Sequence, residues 1–230
     1  MGESIKRIVG PYQDSYSPNG IIGEKDACGV GFIANIKGIE SNWILKQSLK
    51  GLNCMEHRGG CGGDSDSGDG AGILCSIPWK YLDEKMNLKY EKDFNRGLGM
   101  IFMPNKKEKI EKCKSICDQE AEKLKIYSTS WRTVPVNNEI LGPLAKANAP
   151  FICQWILCLE TKGSIDVERL LFQLRKRIEK KIRETFKNNV GDCEFYFASL
   201  STQTVVYKGM VRSEILSEFY QDLKKESFKV

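Results

Sequence analysis

Apolar and polar positions recur with two different periods along this chain, and the periods divide it into elements. Val30, Phe32, Ala34 and Ile36 alternate with other positions, which predicts a strand. Ile44, Leu45, Ser48, Leu49, Leu52 and Met55 recur at helical spacing, with Ser41 where an N-cap belongs. Ile73 to Ile77 reads as a strand, and Pro78 opens a helix to about Leu88, since proline suits a first helical turn. Gly97 to Pro104 reads as another strand. Residues 105–125 follow as a helix with Ile110, Cys113, Cys117, Ala121 and Leu124 inward. Strands are expected at 126–136 and 151–160, and a helix at about 165–187. "CEFYFASLS" (193–201) and "QTVVYKGMV" (203–211) read as an antiparallel strand pair. Ser213 is placed to cap a last helix with Ile215, Leu216, Phe219 and Leu223 inward.

Pure alternation of strands and helices would give a doubly wound parallel sheet. The paired strands late in this order favour a layered α/β sandwich instead. Residues 1–27 carry Gly10, Pro11, Pro18, Gly20 and Gly23 with little periodicity and read as an extended leader. The chain stops at "KKESFKV", after a helix and without a closing strand, so the sandwich is expected to be incomplete at that end.

Composition narrows the class. The 230 residues are 41% hydrophobic and 28% charged, which is ordinary globular composition. No apolar run is long enough to cross a bilayer, and the first residues lack the apolar stretch of a secretory signal. We expect a chain inside a cell or organelle, in the cytoplasm or a plastid stroma, with no membrane partner. Nine cysteines without a signal read as reduced thiols; Cys153 and Cys158 in "FICQWILCLE" behave as small hydrophobes. Cys113 and Cys117 have no second pair at metal-ligand spacing, and the chain has one histidine, so no metal site is expected. The net charge is +5, much of it in "RKRIEKKIRETFK". Leu174, Ile178, Ile182 and Phe186 recur every four residues through that run. It is an amphipathic helix with a solvated basic face, and no nucleic-acid partner is expected.

"HRGGCGGDSDSGDGAG" (57–72) is a glycine-rich loop between a helix and a strand. A phosphate loop would need a lysine followed by serine or threonine, and a dinucleotide loop the opposite order of strand and helix. Asp64, Asp66 and Asp69 fail the calcium-loop pattern, because Gly68 holds the third ligand position and Cys75 the twelfth. The loop therefore reads as a tight backbone turn, or as a loop that shapes an active site. His57 could pair with a thiol as its base or simply hold local backbone. Cys28, in "DACGVGFIANIKG", is open to two readings on its own pattern: one more buried thiol, or a nucleophile freed when residues 1–27 are removed.

Four blocks, taken together, decide between them. "CGVGFIANIKG", "LNCMEHRGGCGGDSDSGDGAGIL", "WRTVPVNNEILG" and "FASLSTQTVVYKGMV" occur in this order. With them the chain, from about Gly20 to Phe219, resembles the start of the glutamate synthase large chain, of the ferredoxin-dependent type. The resemblance is to the N-terminal part of its type-2 glutamine amidotransferase domain, residues 28–230 here. It implies a four-layer α-β-β-α sandwich of the N-terminal-nucleophile hydrolase type, a leader removed between Ala27 and Cys28, and Cys28 as the nucleophile. It also implies L-glutamine as substrate, and the remaining synthase domains or a second chain as partners. There ammonia would be used to make glutamate from 2-oxoglutarate. No cofactor is implied for this segment; FMN and an iron–sulfur cluster are implied for those other domains.

The chemistry fits. A thiolate attacks, and a thiol is mostly protonated near neutrality. A terminal α-amine, with a pKa of about 8, exchanges protons at cellular pH, whereas a peptide nitrogen cannot. Cys28 would thus carry nucleophile and base together once it is the first residue. Gly29 and Gly31 would let the backbone crowd a substrate. The family's arginine clamp and its Asn–Gly oxyanion hole have no counterpart in this sequence, and "HRGG" at 57–60 is a different block. Loss of one oxyanion donor alone costs about 3–4 kcal/mol of transition-state stabilisation. The chain by itself is therefore expected to be inactive as a glutaminase. The competing expectation is a non-catalytic remnant or regulatory module that keeps its leader and buries Cys28.

Overall fold

The computed structural model of the chain describes residues 29–55, 68, 70–88, 94–160, 166–186 and 195–230. The expected leader, Cys28 and most of the glycine-rich loop lie outside these residues.

The elements are helix α1 (Asn42–Asn53), strand β1 (Ala71–Ser76), α2 (Trp79–Met86), β2 (Phe94–Met103), α3 (Lys107–Lys123), β3 (Ile126–Thr133), α4 (Pro143–Ala147), β4 (Phe151–Glu160), α5 (Val167–Thr185), β5 (Tyr196–Ser201), β6 (Thr204–Gly209) and α6 (Leu216–Phe219). Ser41 caps α1, its hydroxyl accepting from the Ile44 N–H. Asp166 does the same for α5 through the Arg169 N–H. Asn87 ends α2 in the left-handed region, where asparagine is tolerated better than most residues.

A four-stranded antiparallel sheet runs in the order β3-β4-β2-β5, and β1 pairs with β6 in a second, two-stranded sheet. The alternation of β4 shows why the sheets are layered. Cys153, Trp155, Leu157 and Leu159 face one core, which α3 and α5 cover, while Ile152 and Ile156 face a second core shared with β6 and α1. The layers run from helices to sheet to sheet, as expected for an α-β-β-α sandwich. Trp131 and Trp155 are register partners and stack at 5.1 Å, which fixes β3 against β4.

The basic run folds as expected: Leu174, Ile178 and Ile182 are buried in α5, while Lys176, Lys180, Lys181 and Arg183 are exposed. Arg177, from the same helix, and Lys123 both bond Glu120 of α3, which ties the two outer helices together.

Three expectations need correction. Residues 30–36 are not a strand: Val30, Phe32 and Ile36 are 92%, 98% and 104% exposed. Among the described residues no strand pairs with them, and a two-residue period makes a strand only where a ladder partner and a covering layer exist. The strand pair expected at 193–201 and 203–211 is found as β5 and β6, but these do not pair with one another; β5 joins β2 and β6 joins β1, so the chain changes sheet between them. The last helix is broken into turns at Ser213–Ile215 and Gln221–Lys224 around the short α6, and Ser213 is the first residue of the first turn, with Arg212 in the cap position. The break has a cause in tertiary structure. The Asn137 N–H donates to the Phe219 carbonyl, the Gln221 N–H donates to the Pro135 carbonyl, and Val136 bridges Tyr220. These bonds replace helical ones and leave Tyr220 extended.

Candidate functional site

Residues 29–40 leave the position of Cys28 and run to the start of α1. Asn35 organises a turn in this segment. Its side chain accepts from the Lys37 N–H at 2.9 Å and donates to the Ile39 carbonyl, and its carbonyl accepts from the Gly38 N–H. Gly38 has φ +65°, a conformation in which a side chain would be strained. Between this segment, α1 and β1 lies a cavity of about 470 Å³, lined among others by Ile33, Asn35, Ile44, Leu45, Leu74 and Cys75. Strand β1 borders it with the edge that β6 does not use. Gly29 passes close under Met55: a Cβ added there would sit 3.1 Å from the Met55 Cβ and Sδ.

The other sequence candidates fall into two groups. His57, Asp64, Asp66 and Asp69 lie outside the described residues. At the end of their loop, Gly68 is buried, and a Cβ there would lie 2.6 Å from the Arg212 nitrogen. Close backbone approach therefore requires glycine at this position. Cys113, Cys117, Cys153 and Cys158 are buried in the sandwich. Burial pushes the Cys153 thiol up to about 12, pushes Cys117 well up, and raises Cys158. Cys75 is likewise pushed up to about 12 by burial. Thiols held protonated are poor nucleophiles. Among the described cysteines only Cys54 is exposed. No group of three or more potential metal ligands occurs among the described residues.

Sequence reasoning missed a buried polar network between the two sheets. Arg132 of β3 reaches Asp222 with two bonds of 2.7 Å each and the Gln154 side-chain oxygen with a third of 2.7 Å. The Tyr81 hydroxyl donates to Asp222 at 2.6 Å, and the Gln154 amide donates to the Tyr207 hydroxyl at 3.0 Å. Asp222 is fully buried and Arg132 nearly so. Burial alone would lower the Arg132 pKa, but Asp222 holds the guanidinium charged and raises it. Burial and then Asp222 raise Tyr81, so that hydroxyl stays protonated and remains a donor. Every group here is committed to another. The network fixes the 221–224 turn to both sheets and has no side chain free for proton transfer. One signal was readable: Gln154 is the lone polar residue in the apolar run "FICQWILCL".

Comparison with known proteins bears on the whole stretch. The family model described as glutamine amidotransferases class-II matches residues 28–230. The chain is 42% identical over 223 residues to the chloroplastic ferredoxin-dependent glutamate synthase of Oryza sativa subsp. japonica, covering 95% of this chain and 14% of that protein. It is 42% identical over 212 residues to ferredoxin-dependent glutamate synthase 2 of Synechocystis, covering 90% and 13%. It is 41% identical over 227 residues to the ferredoxin-dependent glutamate synthase of Pyropia yezoensis, covering 97% and 14%. The chain thus spans about one seventh of the length of the relatives it matches. No helix among the described residues is long and apolar enough to cross a membrane.

Proposed function

The chain belongs to the class-II glutamine amidotransferase family, and from that premise we propose that it supplies the nucleophile of a glutamate synthase glutaminase. The nucleophile is Cys28, exposed as the first residue by cleavage after Ala27. One observation carries this reading: the family match begins at Cys28 and runs through Val230. The burial of Cys113, Cys117, Cys153 and Cys158, and the half-buried, protonated state of Cys75, support it by removing these thiols as competitors.

The step follows from the residue's own groups. The α-amine of Cys28 takes the thiol proton, and the thiolate adds to the side-chain amide carbon of glutamine. The C–N bond breaks, the amine returns the proton to the leaving nitrogen, and ammonia departs. Water then hydrolyses the thioester to give glutamate and the free thiol. With Ala27 attached, the Cys28 nitrogen is an amide and the first proton transfer has no acceptor on that residue.

The clamp and oxyanion donors that complete such a site come from outside this sequence, from the remaining domains or from a second chain. We assign the ammonia to glutamate formation from 2-oxoglutarate there, with FMN and an iron–sulfur cluster in those domains rather than on this segment. The site of action is the cytoplasm or a plastid stroma.

Intact mass of the chain recovered from cells tests the reading. The expected species begins at Cys28, and the purified chain alone releases no glutamine-dependent ammonia. A chain that keeps residues 1–27 and a Cys28 inert to alkylation would overturn the proposal in favour of a non-catalytic module.

A further inference from the structure

We propose that a second cavity, between α4 and strands β5 and β6, binds a small monocarboxylate with an apolar body, such as an aryl-substituted short-chain acid, and that Lys208 and Tyr196 hold its carboxylate. The cavity measures about 310 Å³ and is lined among others by Phe102, Leu141, Ile152, Phe195 and Phe219. It lies at the small end of ordinary ligand cavities and has the apolar walls and few polar groups that such sites share. Among the described residues that line it, Lys208 alone is charged. The lining amide of Asn148 donates to the Leu144 carbonyl at 2.9 Å, so it is committed to its own helix. The polar groups left to face a ligand are those of Lys208 and Tyr196.

Lys208 is held from several sides. Its register partner on β1 is Gly72, where an added Cβ would come 2.7 Å from the Lys208 Cβ, so bare backbone leaves the lysine stem its place. The Tyr220 hydroxyl donates to the Lys208 carbonyl at 2.7 Å. The Lys208 Nζ lies 4.4 Å from the centre of the Tyr196 ring and donates to the Tyr196 hydroxyl at 2.7 Å. That ring packs beside Phe102, its register partner on β2, at 6.0 Å. The ammonium therefore bridges the two sheets at the cavity wall, and among the described residues no carboxylate pairs with it. The tyrosine hydroxyl accepts from the ammonium and keeps its own proton to donate, and the ammonium has two further protons. Clustered donors with one positive charge beside an apolar wall suit a carboxylate whose body is buried. A free α-amino acid suits the site poorly, because its ammonium would lie next to that of Lys208. The charge is partly solvated, so the apolar body supplies most of the affinity and the lysine supplies selectivity.

Saturation-transfer NMR of the ligand, titrated against the full chain at pH 7, tests the site with four probes: phenylpropionate, phenylpropanol, phenylalanine and acetate. Phenylpropionate is expected to bind with a Kd of about 0.1–1 mM, as suits a ligand of this size. Phenylpropanol, which lacks the charge, is expected to bind about fivefold more weakly, and phenylalanine at least about tenfold more weakly. Lys208→Met keeps the stem and removes the charge; it weakens phenylpropionate about fivefold and leaves phenylpropanol within about twofold. Tyr196→Phe keeps the ring and weakens phenylpropionate about threefold. Ala149→Leu, at a half-buried lining position, fills the cavity and removes binding of acid and alcohol alike. The Lys208→Met comparison stands whatever Ala149→Leu does to folding, because it contrasts two ligands on one variant. No saturable binding of phenylpropionate by about 10 mM would overturn the proposal, as would an alcohol bound as tightly as the acid or a Lys208→Met that binds the acid as wild type does. Acetate bound as tightly as phenylpropionate would also overturn it, since that is an adventitious ion only, on a surface lysine.

Discussion

Residues 29–40 and residues 211–230 meet where Ser41 and Val230 exchange backbone hydrogen bonds, yet they solve opposite problems. The first leaves Val30, Phe32 and Ile36 in water. The second buries Leu216, Phe219, Tyr220, Leu223 and Phe228, and places the charge of Asp222 between two sheets. Asn42, at the start of α1, donates to the carbonyls of Lys225 and Phe228, so the two regions share an anchor. The difference lies in partners. The C-terminal run finds Tyr81, Arg132 and the 135–137 backbone; the N-terminal segment finds Met55. The C-terminal run is therefore where burial and buried charge concentrate stability, and residues 29–40 contribute little of either.

Substitutions break or sharpen that contrast in order of size. Asp222→Ala leaves Arg132 buried without a counter-charge and is expected to lower unfolding stability by about 3–5 kcal/mol in urea titration; a loss under about 1 kcal/mol would mean the network carries little. Tyr81→Phe removes one donor to Asp222 while keeping the ring packed on Phe228, and should lose about 1–2 kcal/mol. Glu120→Gln probes the outer helices through pH. Burial alone would raise the Glu120 pKa, but Lys123 and Arg177 more than offset it, so the folded value lies below the ordinary one. Its contribution is complete above the unfolded carboxyl value of about 4.3 and is lost as pH falls through the folded value. Wild type should therefore exceed Glu120→Gln by up to about 1 kcal/mol at pH 7, since the cationic partners are about half exposed and screened. The two should converge as pH falls through the folded value, and a gap that persists in acid would contradict the pairing. Phe32→Ser should change stability by less than about 0.5 kcal/mol, as for other solvated positions; a large loss would show that the segment is packed after all.

Much of this architecture was legible because periodicity reports burial. The faces of α3 and α5 and the two-sided strand β4 follow from spacing alone. What was not legible depends on partners distant in sequence. Residues 30–36 and β6 share a two-residue period, but only β6 has β1 beside it. The helical spacing of 213–223 is real, and Leu216, Phe219 and Leu223 do face inward; the backbone of 135–137 nonetheless takes the hydrogen bonds a single helix would need. The Arg132–Asp222 pair spans 90 residues, and nothing local to either residue points to the other. For the candidate site, Cys28 came from a resemblance between blocks, whereas the contact between Gly29 and Met55 needed coordinates.

The most direct test of Cys28 compares alkylation of this thiol at pH 7 in two versions of the chain, one beginning at Cys28 and one retaining Ala27. If its own amine activates the thiol, Cys28 as first residue reacts at least about tenfold faster than in the version with Ala27, and faster than the exposed Cys54 in the same molecule. Equal rates in the two versions would contradict the account.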